Sequence, residues 1–164
     1  MQLARLPELS DGAFRAFVRF PAGWSRPSAG HYPVAEEFLV LEGELRLNAA
    51  TWRGGGYAWL AANRVRADSS SEPGCLAFAW FAGMPRWIPG LPTNSALSAD
   101  IAFSHWRNAA GGKLYAGPEH HTWVLPGRQI PEGCEALDLV DLCWRADARS
   151  EPLADRSSVL ARVW

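Results

Sequence analysis

From Ala13 to Phe20, apolar Phe14, Ala16, Val18 and Phe20 alternate with Arg15, Phe17 and Arg19, the period-two pattern of a half-buried strand that ends at Pro21-Ala22-Gly23. Glu37 to Leu41 and Glu44 to Leu47 flank Glu42-Gly43, and this spacing predicts a hairpin turning at the glycine, which supplies the positive φ that a tight turn wants. Further strands are predicted at Tyr57–Leu60, after Gly54-Gly55-Gly56, and at Cys75–Phe81, with turn-rich sequence from Asn63 to Gly74 between them. Helical periodicity is hardly visible. Pro85, Pro89 and Pro92 exclude a regular helix from Phe81 to Ser98, which reads as an irregular connector.

The tail echoes the first half. Val18 to Gly23 resembles Trp123 to Gly127, each followed by an acidic-then-apolar strand, the second being Glu135 to Val140. Ser70 to Trp80 is echoed by Ser157 to Trp164, so a shortened second copy is expected, without a counterpart of the Gly30-to-Glu36 loop.

Composition narrows the class. The chain has 164 residues, 48% hydrophobic and 20% charged, with a formal net charge of -1, which excludes a disordered or collagen-like chain and leaves no field to attract nucleic acid or a membrane surface. No run reaches the roughly 18 apolar residues of a membrane helix and the start lacks a signal-peptide core, so a cytoplasmic location is expected. Cys75, Cys134 and Cys143 have no C-x-x-C spacing and read as reduced, core-leaning thiols. Nine tryptophans, twelve prolines and fifteen glycines favour short strands, many turns and large aromatic surfaces.

One constellation carries chemistry. Gly23, Ala29, His31, Glu36 and Gly43 follow the spacing of the first cupin motif, G-x5-H-x-H-x3,4-E-x6-G, with the first histidine replaced. Gly54-Gly55, Ala61, Asn63, Arg66 and Ser70 follow the spacing of the second, P-G-x5-P-x-G-x2-H-x3-N. Over about residues 14 to 82 the chain thus resembles the cupin superfamily, and Glu36 to Gly43 with Gly74-Cys75-Leu76 looks most like the cupin halves of ChrR-type anti-sigma factors. The resemblance implies an all-β, double-stranded β-helix (jelly-roll) barrel, with residues 1–90 as its core and 91–164 as a connector and degenerate second repeat packed on the same domain.

It also implies an inward-facing metal site at Ala29, His31, Glu36 and Arg66, of which His31 and Glu36 alone are ligand types. A guanidinium in the fourth place repels a cation, so no tightly held metal is expected. A divalent metal returns only if Tyr32, Glu37, His105, His120 or His121 completes the set. Glu36 is in phase with Phe38 and Val40, so its carboxylate shares a face with apolar side chains and needs a partner. Arg66 faces it if the family geometry holds, either as a structural plug or as an anchor for an anionic ligand, with His31 as acid or base. Trp24, Trp52, Trp80 and Trp87 read as core or interface, while Trp59, inside the second motif, joins Tyr32 as a pocket candidate. His120-His121 beside Glu119 reads as a solvated loop, and Gly54-Gly55-Gly56 as a turn with no phosphate-loop lysine after it.

Three functions remain open. The first is a barrel that receives a small anionic or aromatic molecule and predicts an open cavity exposing Arg66, His31 and Tyr32. The second, implied by the ChrR-type resemblance, is a non-catalytic sensor or interaction module with a filled interior and an apolar outer patch. The third is a metalloenzyme with rearranged ligands. A homodimer is expected where a remaining edge strand or exposed tryptophans pair.

Overall fold

The computed structural model describes residues 1–93, 101–126, 129–147 and 158–163. They form antiparallel strands and two short 3-10 turns, in two compact units, Met1–His105 and Trp106–Trp164. No helix among these residues is long and apolar enough to cross a membrane.

In the first unit the strands are β1 (Gln2–Arg5), β2 (Phe14–Phe20), β3 (Trp24–Arg26), β4 (Gly30–His31), β5 (Glu36–Leu47), β6 (Ala50–Arg53), β7 (Tyr57–Leu60), β8 (Ser69–Ser71), β9 (Cys75–Phe81), β10 (Ile88–Pro89) and β11 (Ile101–Phe103). The main sheet runs β1-β2-β9-β5-β7-β11, while β3, β8 and β6 branch from β5. This ladder is an open path rather than a closed ring among the described residues. The alternation along β2 and β9 turns Val18, Ala77 and Ala79 inward with Phe38 and Val40 of β5, which makes the core. Alanines in the middle of the central strand hold the wall together by backbone bonds while leaving the interior open.

The predicted hairpin at Gly43 is corrected. Glu36–Leu47 is one strand of 12 residues that shifts register between Val40 and Glu42 and changes partners, from β7 and β9 to β6 and β8. A bulge bends it from one sheet into the next. Gly43 has φ 75°, and a Cβ there would stand 2.0 Å from the Gly74 carbonyl oxygen, so the glycine serves a close approach of two strands instead of a reversal. The reversal comes at Asn48-Ala49, both at positive φ, as a two-residue hairpin loop requires. The connector also does more than expected: Ile88–Pro89 pairs with Gly30–His31, while the part from Asn94 to Ser98 lies outside the described residues.

The second unit holds β12 (Lys113–Ala116), β13 (His121–Pro126), β14 (Glu135–Asp138), β15 (Trp144–Arg145) and β16 (Ser158–Val163), in the order β12-β13-β16-β14-β15. Strand for strand this repeats β1-β2-β9-β5-β7. Registers agree as well: Leu39 pairs with Tyr57, whose hydroxyl donates to Glu37 Oε2 at 2.8 Å, and Leu137 pairs with Trp144, whose indole N–H donates to Glu135 Oε1 at 2.7 Å. The shortened second repeat is thus present. Its alignment differs by two residues from the sequence match, since Trp123 opposes Ala161 as Ala16 opposes Ala79. Gly127, Ser157 and Trp164, which took part in that match, lie outside the described residues. Cys75 and Cys134 are buried, as a core role requires, whereas Cys143 is exposed.

Replacing Gly43 with alanine tests the bulge. Left-handed strain and the contact with Gly74 are expected to cost at least ~2 kcal/mol. Urea denaturation measures it, and a loss under about 0.5 kcal/mol, the scale of an ordinary surface change, would refute the close approach.

Candidate functional site

Inside the first unit the strands enclose a cavity of about 250 Å³. At ~30 Å³ per water this is room for roughly eight waters or one small organic molecule. Its walls are apolar, with Phe14, Phe38, Phe81, Trp24 and Trp87, and Ala77 and Ala79 supply the space. Arg26, Tyr32, Glu36, Arg66 and Ser69 bring the polar groups.

Glu36 opens β5 in phase with Phe38, which turns its carboxylate inward. Arg66 follows β7 in a turn held by two backbone bonds to Gly30, from Gly30 N–H to Arg66 O at 3.0 Å and from Arg66 N–H to Gly30 O at 2.8 Å. From there its Nη2 donates to Glu36 Oε2 at 2.5 Å and its Nη1 to the Arg64 carbonyl at 3.2 Å. The side chains are 5% and 13% exposed, so this pair is held in a largely desolvated place. The guanidinium also lies 4.7 Å from the centre of the Tyr32 ring, and its Nε has no hydrogen-bond partner among the described residues. Burial pushes the Glu36 carboxyl above its ordinary pKa, against the charge and hydrogen bond of Arg66 and the charge of Arg26, which pull it down.

The third charge stands on β3. Arg26 has its guanidinium carbon 4.3 Å from the Trp87 ring centre and 5.6 Å from that of Trp24. Trp24 and Arg26 are two residues apart on one strand and so share its inner face, while Trp87 comes from the proline-rich segment before β10.

Of the residues singled out in the sequence, Glu36, Arg66 and Tyr32 meet as expected. His31 does not join them: it is buried, its Nδ1 lies 3.3 Å from the Gly90 carbonyl, and it is absent from the cavity wall. Trp59 is also absent from the wall, because it alternates with Ala58 and Leu60 and stands on the far face of β7 with Tyr57. Glu37 accepts from Tyr57 on that same far face, His105 lies beside Gly55, His120 packs on Tyr115 in the second unit, and His121 is exposed. His120 is buried, which corrects its reading as part of a solvated loop. Arg26, Trp24 and Trp87 were the residues missed. The alternation of Trp24 with Ser25 and Arg26 was the signal for the first two, and Trp87 had none.

Of His31 and Tyr32, it is Tyr32 that reaches the cavity. A side chain at position 30 would meet Trp87 Cζ2 at 2.2 Å and the Ile88 carbonyl at 2.7 Å, so the indole fills the space beside Gly30. A divalent metal does not fit these residues: one carboxylate, already bonded to a guanidinium, one phenol and one serine hydroxyl are the oxygen side chains of the wall, beside two guanidinium cations. Among the described residues no three His, Cys, Asp or Glu side chains gather.

No protein-family model matches the sequence, and no curated protein matches it either. Solved structures do. A candidate dioxygenase from Nostoc punctiforme superposes with TM-score 0.70 over 98% of this chain and 72% of that one at 11% identity. Protein Ylba of E. coli gives TM-score 0.52 over 99% and 76%, also at 11% identity. An RmlC-like cupin from Ralstonia eutropha covers 57% of this chain and 60% of its own, at 16% identity and TM-score 0.42. The chain has the cupin-type jelly-roll fold.

Two outcomes follow for the buried pair. Arg66→Met is expected to cost ~3 kcal/mol or more in urea denaturation at pH 7, and the Glu36→Gln/Arg66→Met double variant less than the two single variants summed; strict additivity would refute the coupling. Because the folded-state pKa of Glu36 is raised above its ordinary 4.5, its contribution is fully present below that value and is lost as pH rises through the raised one. Wild-type stability measured relative to Glu36→Gln therefore falls on going upward from pH 4.5, and a rise there would show that Arg66 overrides burial.

Proposed function

We propose that this protein binds a small molecule with an aromatic or apolar body in the cavity of its first unit and holds no resident metal there. The cavity itself carries the reading: an open space of about 250 Å³, walled by aromatic rings, with a guanidinium bonded to the carboxylate in the place the fold family gives to a metal. A filled interior, the mark of a purely structural or interaction module, is not what these residues build. Binding is favoured over catalysis because the side chain expected as acid or base, His31, lies outside the wall, and Glu36 is engaged with Arg66.

Phenylacetate and phenylacetamide, which share one ring and differ in charge, are suitable probes. At about ten times the Kd, ligand linkage gives ~1.4 kcal/mol, which raises the Tm of a chain this long by about 3–5 °C. At least one probe is expected to do so, and Ala79→Phe, which fills the cavity from β9, is expected to abolish the shift while keeping the far-ultraviolet spectrum. No shift with either probe, or a shift untouched by Ala79→Phe, would remove the cavity from consideration. Elemental analysis is expected to find no stoichiometric metal.

A further inference from the structure

Three charged side chains line the cavity, and they do not cancel. Glu36 and Arg66 are bonded to each other at 2.5 Å, which leaves Arg26. Among the described residues Arg26 forms no ion pair; its guanidinium lies over the faces of Trp87 and Trp24, and its charge acts on the Glu36 carboxyl through space. A ring face attracts a cation but accepts poorly from its five N–H groups, so the indoles hold the guanidinium beside them without meeting its hydrogen-bonding capacity. A planar fork in the wall of an apolar chamber, with one positive charge in excess, can receive a carboxylate through two parallel bonds.

We propose that Arg26 is the anion receptor of the cavity, and that the ligand is a monocarboxylate carrying an aromatic or compact apolar body. The inference rests on the reading of the cavity as a binding site and adds the charge class and the residue that reads it. Three observations restrict the class. Among the described residues Arg26 is the cationic side chain of the wall that stands outside an ion pair, which suits a single negative charge better than a phosphate dianion with three strong acceptor oxygens. Ser69, the cross-strand partner of Arg26 between β3 and β8, also lines the cavity and places a hydroxyl on the same wall. Beyond these groups the walls are Phe14, Phe38 and Phe81 with the two alanines, which take a body without hydrogen-bonding demands of its own. Arg66 does not fill the receptor role, because removing it from Glu36 would strand a buried carboxylate.

Isothermal titration with phenylacetate, phenylacetamide and phenyl phosphate, on wild type, Arg26→Gln, Arg26→Lys and Ala79→Phe, tests this. Wild type is expected to bind phenylacetate at least about tenfold more tightly than phenylacetamide. Arg26→Gln is expected to bring that ratio close to one while leaving phenylacetamide within about threefold of its wild-type affinity. Arg26→Lys keeps the charge but loses the fork, and an intermediate ratio is expected. If the amide binds, with sensitivity to Ala79→Phe, and the carboxylate binds no better, the anion inference falls and the cavity reading stands. A carboxylate preference that survives Arg26→Gln overturns the assignment to Arg26. Tighter binding of phenyl phosphate overturns the monocarboxylate class. If none of the probes binds wild type, both readings fall.

Discussion

Glu36 starts β5 and Arg66 follows β7, the strand paired with it, and the two meet in a chamber whose remaining lining is mostly apolar, where neither charge is tolerated alone. Breaking such a pair from one side leaves an uncompensated buried charge, whereas keeping it stabilises little in itself, since desolvation offsets most of the attraction. What the pair does for the fold is positional. Arg66 is bonded through its backbone to Gly30 and through its side chain to the first residue of β5, so β4, β5 and the turn after β7 meet at one point. Tyr32, stacked under the same guanidinium, brings in the loop between β4 and β5 and touches Phe81 and Trp87. The cavity is held open by this junction on one side and by the alanines of β9 on the other.

A chamber of this size is not neutral. Left dry, about 250 Å³ would forfeit ~6 kcal/mol at ~24 cal/mol per Å³, a large part of the 5–15 kcal/mol that ordinarily separates folded from unfolded chains. Two arginines, a carboxylate and a serine hydroxyl give a water or a ligand hydrogen-bonding partners there, which lowers that cost. Larger side chains at Ala77 and Ala79 would remove the space by the simplest route. Their small size argues that the space is used.

Period-two alternation made β2 and the inward phase of Glu36 legible, because side-chain parity along a strand is a local property. Facing Arg66 toward Glu36 needed the family geometry as well. Gly43 was misread because a glycine at positive φ suits a turn and a bulge equally, and the distinction lies in its approach to Gly74, which no local pattern encodes. His31 and Tyr32 were both expected at the cavity and Tyr32 alone of the two lines it, because neighbouring residues of an extended segment face opposite ways. Trp87 was illegible because it enters the cavity from a proline-rich stretch without periodicity.

The two units show which carboxylate belongs to the scaffold. Glu37 and Glu135 occupy the same place in equivalent ladders, and each accepts from an aromatic donor on the equivalent of the β7 position, Tyr57 in one and Trp144 in the other. A group retained at the same register, with the same kind of partner, in the unit that lacks the loop from Gly30 to Glu36 serves the sheet. One residue earlier the units part. Glu36 faces the cavity and Arg66, whereas Cys134, at the matching step before β14, is fully buried in an apolar cluster with Ala136, Val159 and Ala161. Adjacent positions on one strand thus divide the work, the outward carboxylate holding the fold and the inward one present only where there is a chamber to serve.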